Sequence, residues 1–191
     1  MDNTISKLPS TIFTVLFFSL LLAGKSHSLS HTLSSKNLSL GREKLSHLRF
    51  YFHDIVSGKN ATAVRVAEST VTAQSPFAFG SVMVMDDPLT ATPDLDSPQV
   101  GRAQGIYASA AKEELGFLIM VNFVFTSGKY NGSSLSMVGR NAALTALREM
   151  PVVGGSGLFR FAHGYAEART HWVNLTSGDA VVEYNLNVLH Y

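Results

Sequence analysis

From Leu48 to the C-terminus, apolar and polar positions alternate in short runs, each closed by glycine, proline, asparagine or aspartate. This period-two pattern predicts strands at Leu48–Ile55, Ala63–Val71, Phe79–Met85, Gly101–Ala111, Phe117–Thr126, Leu135–Val138, Arg148–Val153, Leu158–Thr170 and Ala180–Leu189. Turns are predicted at Ser57–Asn60, Asp86-Asp87-Pro88 and Asn131-Gly132, with Asn-Gly the strongest hairpin signal. Leu89–Pro98 is a Pro/Asp-rich loop long enough for a lid or rim, and Gly154-Gly155-Ser156-Gly157 reads as a tight turn. Some helical character is confined to Asn141–Met150. Eight or nine short strands without a long helix predict an all-β chain, either a closed antiparallel barrel or a sandwich.

Three strands carry more information. In Ala180–Leu189, Val182, Tyr184, Leu186 and Val188 share one face, and Glu183, Asn185 and Asn187 the other. Phe117–Thr126 is apolar on both faces, with Leu118, Met120 and Val124 opposite Phe117, Ile119, Val121, Phe123 and Phe125. The outer apolar face of a single barrel needs a cover, so a homo-oligomer, dimer or trimer, is expected. The first strand places Leu48, Phe50, Phe52 and Asp54 on one side. A carboxyl at the end of that aromatic face is either solvated or held in an apolar cavity. In a cavity its pKa rises, which makes it a usable general acid near neutrality.

Composition adds a compartment. The 191 residues are 46% hydrophobic and only 15% charged. Part of the apolar excess is an N-terminal run, Thr11–Ala23, behind a polar start containing Lys7 and ahead of small residues. It reads as a signal peptide, residues 1–28, cleaved after Ser26 or Ser28, leaving no membrane anchor on the mature chain. Residues 29–45 are Ser-rich and aperiodic, a flexible lead-in to a single domain over 46–191. Four sequons, at Asn37, Asn60, Asn131 and Asn174, predict N-glycosylation and fit secretion. Without cysteine, the domain must rely on its core.

Several function classes are excluded. After cleavage the chain carries 13 basic and 13 acidic residues without a basic run, which speaks against a nucleic-acid or anionic-membrane partner. The seven histidines are scattered with no short-spaced ligand pair, so no metal site is expected. No Lys-Ser/Thr follows the Gly-rich run, and no nucleophile elbow is present. No cofactor is expected. Arg148, just ahead of apolar Met150–Val153, reads equally as a surface charge or an internal cation.

Several strings, in order, resemble the plant dirigent protein family: Phe50-Tyr51-Phe52-His53-Asp54-Ile55, Asp86-Asp87-Pro88-Leu89-Thr90, Val100-Gly101-Arg102-Ala103-Gln104-Gly105-Ile106-Tyr107 and Lys129-Tyr130-Asn131-Gly132-Ser133. Arg148-Glu149-Met150-Pro151-Val152-Val153-Gly154-Gly155-Ser156-Gly157 and Gly178-Asp179-Ala180-Val181-Val182-Glu183-Tyr184-Asn185 complete the series. The resemblance implies a secreted, apoplastic, eight-stranded antiparallel barrel related to allene oxide cyclase and usually trimeric. It implies stereoselective coupling of phenoxy radicals, typically from coniferyl alcohol, in lignan and phenylpropanoid biosynthesis. The radicals would come from a separate laccase-type oxidase. The alternative it implies is that of the pterocarpan synthases, dehydration and ring closure of an isoflavanol through a quinone methide. A third reading is a non-catalytic cell-wall protein that binds phenolics.

By position, the resemblance assigns Asp54, Tyr107 and Arg148 to catalysis and Phe52, Phe159 and Asn141 to the substrate pocket. Asn141 stands where the lignan-forming subgroup has aspartate, and the two cysteines of that subgroup are missing. His163 replaces an arginine of many relatives. These departures resemble the subgroup that includes pterocarpan synthases.

Overall fold

Nine strands form in chain order in the computed structural model, which describes residues 30, 32–34, 36, 38 and 40–191. They are β1 (Lys44–Asp54), β2 (Ala63–Ala67), β3 (Val82–Thr90), β4 (Gln99–Ser109), β5 (Gly116–Phe125), β6 (Ser134–Ala142), β7 (Arg148–Ser156), β8 (His163–Val173) and β9 (Ala180–His190). The strands all belong to one compact unit, Gly41–Tyr191. The expected signal peptide, residues 1–28, and the sequon residue Asn37 lie outside the described residues.

All pairings are antiparallel. β1 lies beside β9, and the order runs from β9 back to β3 through sequence neighbours. Closure comes from β1 with β3, at Tyr51↔Thr90 and Phe52↔Leu89. Eight strands therefore close a barrel, which removes the long open edges that a flat sheet would expose. The short β2 pairs only with the first half of β3, as at Ala63↔Met85 and Val64↔Val84. It fills the gap where β1 and β3 splay, with Thr62 and Ala63 N–H donating to the Ile55 carbonyl. At the seam, buried His53 lies with Nε2 2.7 Å from Thr90 Oγ1. The Thr90 hydroxyl donates to the Thr92 carbonyl, so His53 Nε2–H is the donor of that bond.

The alternation places the core. Ile119, Val121, Phe123 and Phe125 point inward from β5, while Leu118 and Met120 remain 43% and 39% exposed on its outer face. Phe50, Phe123 and Tyr184 pack at mid-barrel with centroid separations of 5.0, 5.3 and 6.0 Å. One end is plugged by rings, with Tyr130 4.7 Å and His190 5.0 Å from buried Phe159. His190 is fixed there by Ser46 Oγ at 2.9 Å and the Leu158 carbonyl at 3.0 Å. The other end is open.

Some expected boundaries are corrected. Asp86-Asp87-Pro88 does not end a strand but runs within β3. Asp86 N–H donates to Thr62 on the β2 side. Two residues on, Pro88 has its nitrogen on that same side, past the end of β2, where no donor is required. Gly154 and Gly155 continue β7. Added at Gly155, a Cβ would stand 2.7 Å from Phe159 Cβ, so glycine serves close packing here and the turn falls on Gly157–Phe159. Leu158 thus sits in that turn rather than in a strand. No helix forms over Asn141–Met150, where β6 ends at Ala142 and β7 starts at Arg148. The Asn131-Gly132 hairpin is a longer loop than a two-residue turn, because a 3₁₀ turn at Gly128–Tyr130 precedes it.

Candidate functional site

A cavity of about 640 Å³ occupies the open end. That volume is in the range of small-molecule sites. Phe52, Phe117, Ile119, Val182 and Tyr184 give it an apolar lining. Onto that lining the strands project few polar groups: Asp54 from the end of β1, Arg65 from β2, Tyr107 from β4, Asn141 from β6, Arg148 from the start of β7 and Thr170 from β8.

Asp54 arrives on the inner wall because the β1 alternation carries it there after Phe50 and Phe52. Loss of hydration raises its pKa to about 6. The Tyr107 hydroxyl, donating to Oδ1 at 3.4 Å, opposes the rise, and the Asp179 charge adds to it. Tyr107 packs edge-on against Phe117 at 5.3 Å, and burial pushes its own pKa up, so it stays a neutral donor.

Arg148 is only 4% exposed and has an unusual set of partners for a buried cation. Nε donates to Asn141 Oδ1 at 3.1 Å, and Nη1 to Thr170 Oγ1 at 2.8 Å and the Thr145 carbonyl at 3.3 Å. Among the described residues, no carboxylate lies within ion-pair distance of it. Burial accordingly lowers its pKa. Asp54 and Arg148 line one cavity without forming an ion pair, so neither charge is neutralised by the other.

Phe52 and Asn141 line the cavity. Phe159 does not. It is fully buried in the ring plug at the closed end, because the turn after β7 folds back against Tyr130 and His190.

A second buried acid was not singled out from the sequence. Asp87 is 0% exposed. Its Oδ1 accepts a hydrogen bond from the Thr62 hydroxyl and its Oδ2 has no partner. Desolvation, reinforced by the Asp54 charge, raises its pKa to about 8. The signal was available: carried through Asp-Asp-Pro, the β3 alternation puts Met83, Met85, Asp87 and Leu89 on one face. Asp86 points outward to Arg102 at 2.6 Å, and that contact lowers its pKa.

Asn60, Asn131 and Asn174 are exposed in loops at the barrel ends. Among the described residues, no group of three or more His, Cys, Asp or Glu side chains is placed to hold a metal ion.

Comparison with known proteins adds identity to this geometry. The dirigent-like protein family matches residues 45–189. Dirigent protein 23 of Arabidopsis thaliana is 49% identical over 84% of this chain and 86% of its own. Pterocarpan synthase 1 of Glycine max is 45% identical over 95% and 98%. The solved structure of a pterocarpan synthase dirigent protein superposes with a TM-score of 0.78 at 47% identity, covering 85% of this chain and 99% of that one. A Diels–Alderase from Streptomyces koyangensis, 12% identical with a TM-score of 0.51, shares the fold alone.

The two raised acids fix how stability responds to pH. A carboxyl whose pKa rises on folding binds its proton longer in the native state, so native stability falls as pH rises from the unfolded value through the folded one. The thermal midpoint is expected to fall from about pH 4 through 6 as Asp54 ionises, and on toward 8 as Asp87 does. Both acids contribute from about pH 4, where they ionise in the unfolded chain; Asp54→Asn removes about 3 kcal/mol of the fall between about 4 and 6, and Asp87→Asn removes a share that runs across the whole range. Differential scanning calorimetry across that range reads it. A midpoint that climbs with pH would contradict the buried-acid assignment.

Proposed function

This chain belongs to the dirigent family, and we propose that it acts on a quinone methide formed in its cavity, promoting dehydration and ring closure of a phenolic alcohol in the manner of a pterocarpan synthase. One observation carries this reading: Asp54 is a desolvated acid with a pKa near 6 that is not neutralised by the cation across the cavity. General-acid work needs that state, whereas an ion-paired carboxylate would be unable to give a proton.

The chemistry follows from the placement. Arg148 holds the oxygen at the far end of a conjugated phenol ring and favours its ionised form. Asp54 donates its proton to the benzylic hydroxyl, the C–O bond breaks, water leaves and the quinone methide forms. A second phenol of the same substrate then adds to the methide carbon and gives its proton to Asp54. The ring oxygen regains its charge beside Arg148, and Tyr107 steadies the Asp54 carboxyl throughout. The sum is loss of one water, with Asp54 and Arg148 returned to their starting states.

Stereoselective coupling of two phenoxy radicals supplied by a separate laccase-type oxidase is the second reading. What favours it is the cavity volume, ample for two phenylpropanoid molecules, together with relatives named dirigent proteins at 49–51% identity. The sequence places coupling first; the buried acid favours cyclisation. Purified protein given an isoflavanol alone is expected to turn it over, and Asp54→Asn to slow that step by about a hundredfold or more while remaining folded. Enantiomeric excess only with laccase and coniferyl alcohol would favour coupling instead. Binding without either product would leave a phenolic-binding wall protein.

Secretion to the apoplast with glycosylation at Asn37, Asn60, Asn131 and Asn174 belongs to the same proposal, as does self-association. The outer faces of β2 to β6 align Val64, Val84, Ile106, Met120 and Val138 in one register row. A second copy of the chain is the cover this row fits, as dimer or trimer. Met120→Glu is expected to give a folded monomer in light scattering, and an unchanged mass would discount this face.

A further inference from the structure

The loop between β8 and β9 holds a sequon at the edge of the cavity. Asn174 and Leu175 belong to the cavity wall, and both are exposed to solvent, Leu175 at 76%. The loop is rigidly built. Asn174 Oδ1 accepts from Thr176 N–H at 2.9 Å and Ser177 N–H at 3.3 Å, and the Asn174 carbonyl accepts from Gly178 N–H at 2.8 Å. Asp179 ties the loop to the end of β1 by accepting from Val56 and Ser57 N–H at 2.9 and 3.0 Å. The side-chain nitrogen of Asn174 is left without a partner among the described residues, and Thr176, the third sequon position, is exposed.

A second loop at the rim also bares an apolar side chain. Leu144, in the β6–β7 loop, is 65% exposed and also lines the cavity. An apolar mouth of this kind, lined also by Pro76, Phe77 and Ala78, admits flat aromatic molecules, and a hydrated group at its edge would narrow the size that passes. A branched sugar chain rooted beside Leu175 would be such a group, since it is bulky, hydrated and anchored on a loop that cannot swing away.

We propose that Asn174 carries an N-glycan that stands over the cavity mouth and sets the size of the phenolic that enters. Small aglycones pass beneath it, and sugar-conjugated phenolics are held back. Asn60 and Asn131 differ in this respect. Neither lines the cavity, and Asn131 belongs to the closed end with Tyr130. The inference concerns entry, so it holds whether the cavity cyclises, couples or only binds its ligand.

The chain's single tryptophan, Trp172, lies two residues from Asn174 and is half-exposed, which gives a local optical probe. Protein secreted from plant cells would be mapped by peptide mass spectrometry. Coniferyl alcohol and its phenolic glucoside would then be mixed with it by stopped flow, following Trp172 fluorescence. Asn174→Gln and Thr176→Ala both remove the sequon, so a folding fault in one does not decide the matter. Asn60→Gln serves as the control. The expected result is a glycan at Asn174, and association of the glucoside accelerated several-fold in both sequon variants, against little change for the free alcohol or in Asn60→Gln. An unmodified Asn174 in secreted protein overturns the proposal. So does a modified Asn174 whose removal leaves the ratio of the two association rates unchanged.

Discussion

Taking carboxyl groups out of water is the constraint around which this barrel is organised. An ionised carboxylate in an apolar interior is costly, and the molecule answers that cost with protonation instead of with a counter-ion. Asp54 and Asp87 both keep their protons well past the usual carboxylate range. Arg148, the buried cation of the cavity, is engaged by Asn141, Thr170 and a backbone carbonyl. Separation of the acid from the cation gives the cavity two unlike poles, one able to donate a proton and one able to hold an anionic oxygen.

The fold maintains that separation. β1 brings Asp54 in from one side of the closure seam, while β6 and β7 hold Asn141 and Arg148 on the other part of the wall. The Phe50, Phe123 and Tyr184 cluster fills the middle of the barrel, and the Phe159 plug seals the far end, so the cavity opens in one direction. Asp87 marks the cost of this arrangement. Keeping it protonated near neutrality and leaving one oxygen unpaired both weaken the native state; an asparagine in its place would remove the first cost and keep the second.

Much of this was legible in the sequence because period-two alternation reports directly on which side chains face inward. The inward placement of Asp54 follows from its parity with Phe50 and Phe52, and the two-faced apolar pattern of β5 correctly marks exposed Leu118 and Met120. What misled were residues whose turn reputation depends on context. Pro88 continues β3 because its nitrogen faces a place with no acceptor to serve, and Gly154 and Gly155 continue β7 because a neighbouring turn packs against them. The first of these errors concealed Asp87. Phe159, assigned to the pocket by resemblance alone, is held in the plug by a long-range contact with Tyr130 and His190 that no local pattern encodes.

The central claim is that Asp54 is a desolvated, unpaired acid, and its titration in the folded protein tests this most directly. Carboxyl-carbon NMR of aspartate-labelled protein, assigned by Asp54→Asn, should give a midpoint near 6. In Tyr107→Phe the midpoint should move higher still, because the phenol hydrogen bond favours the ionised form. A midpoint at about 4 or below, unmoved by Tyr107→Phe, would mean that Asp54 is solvated or ion-paired, and the acid chemistry assigned to this cavity would not hold.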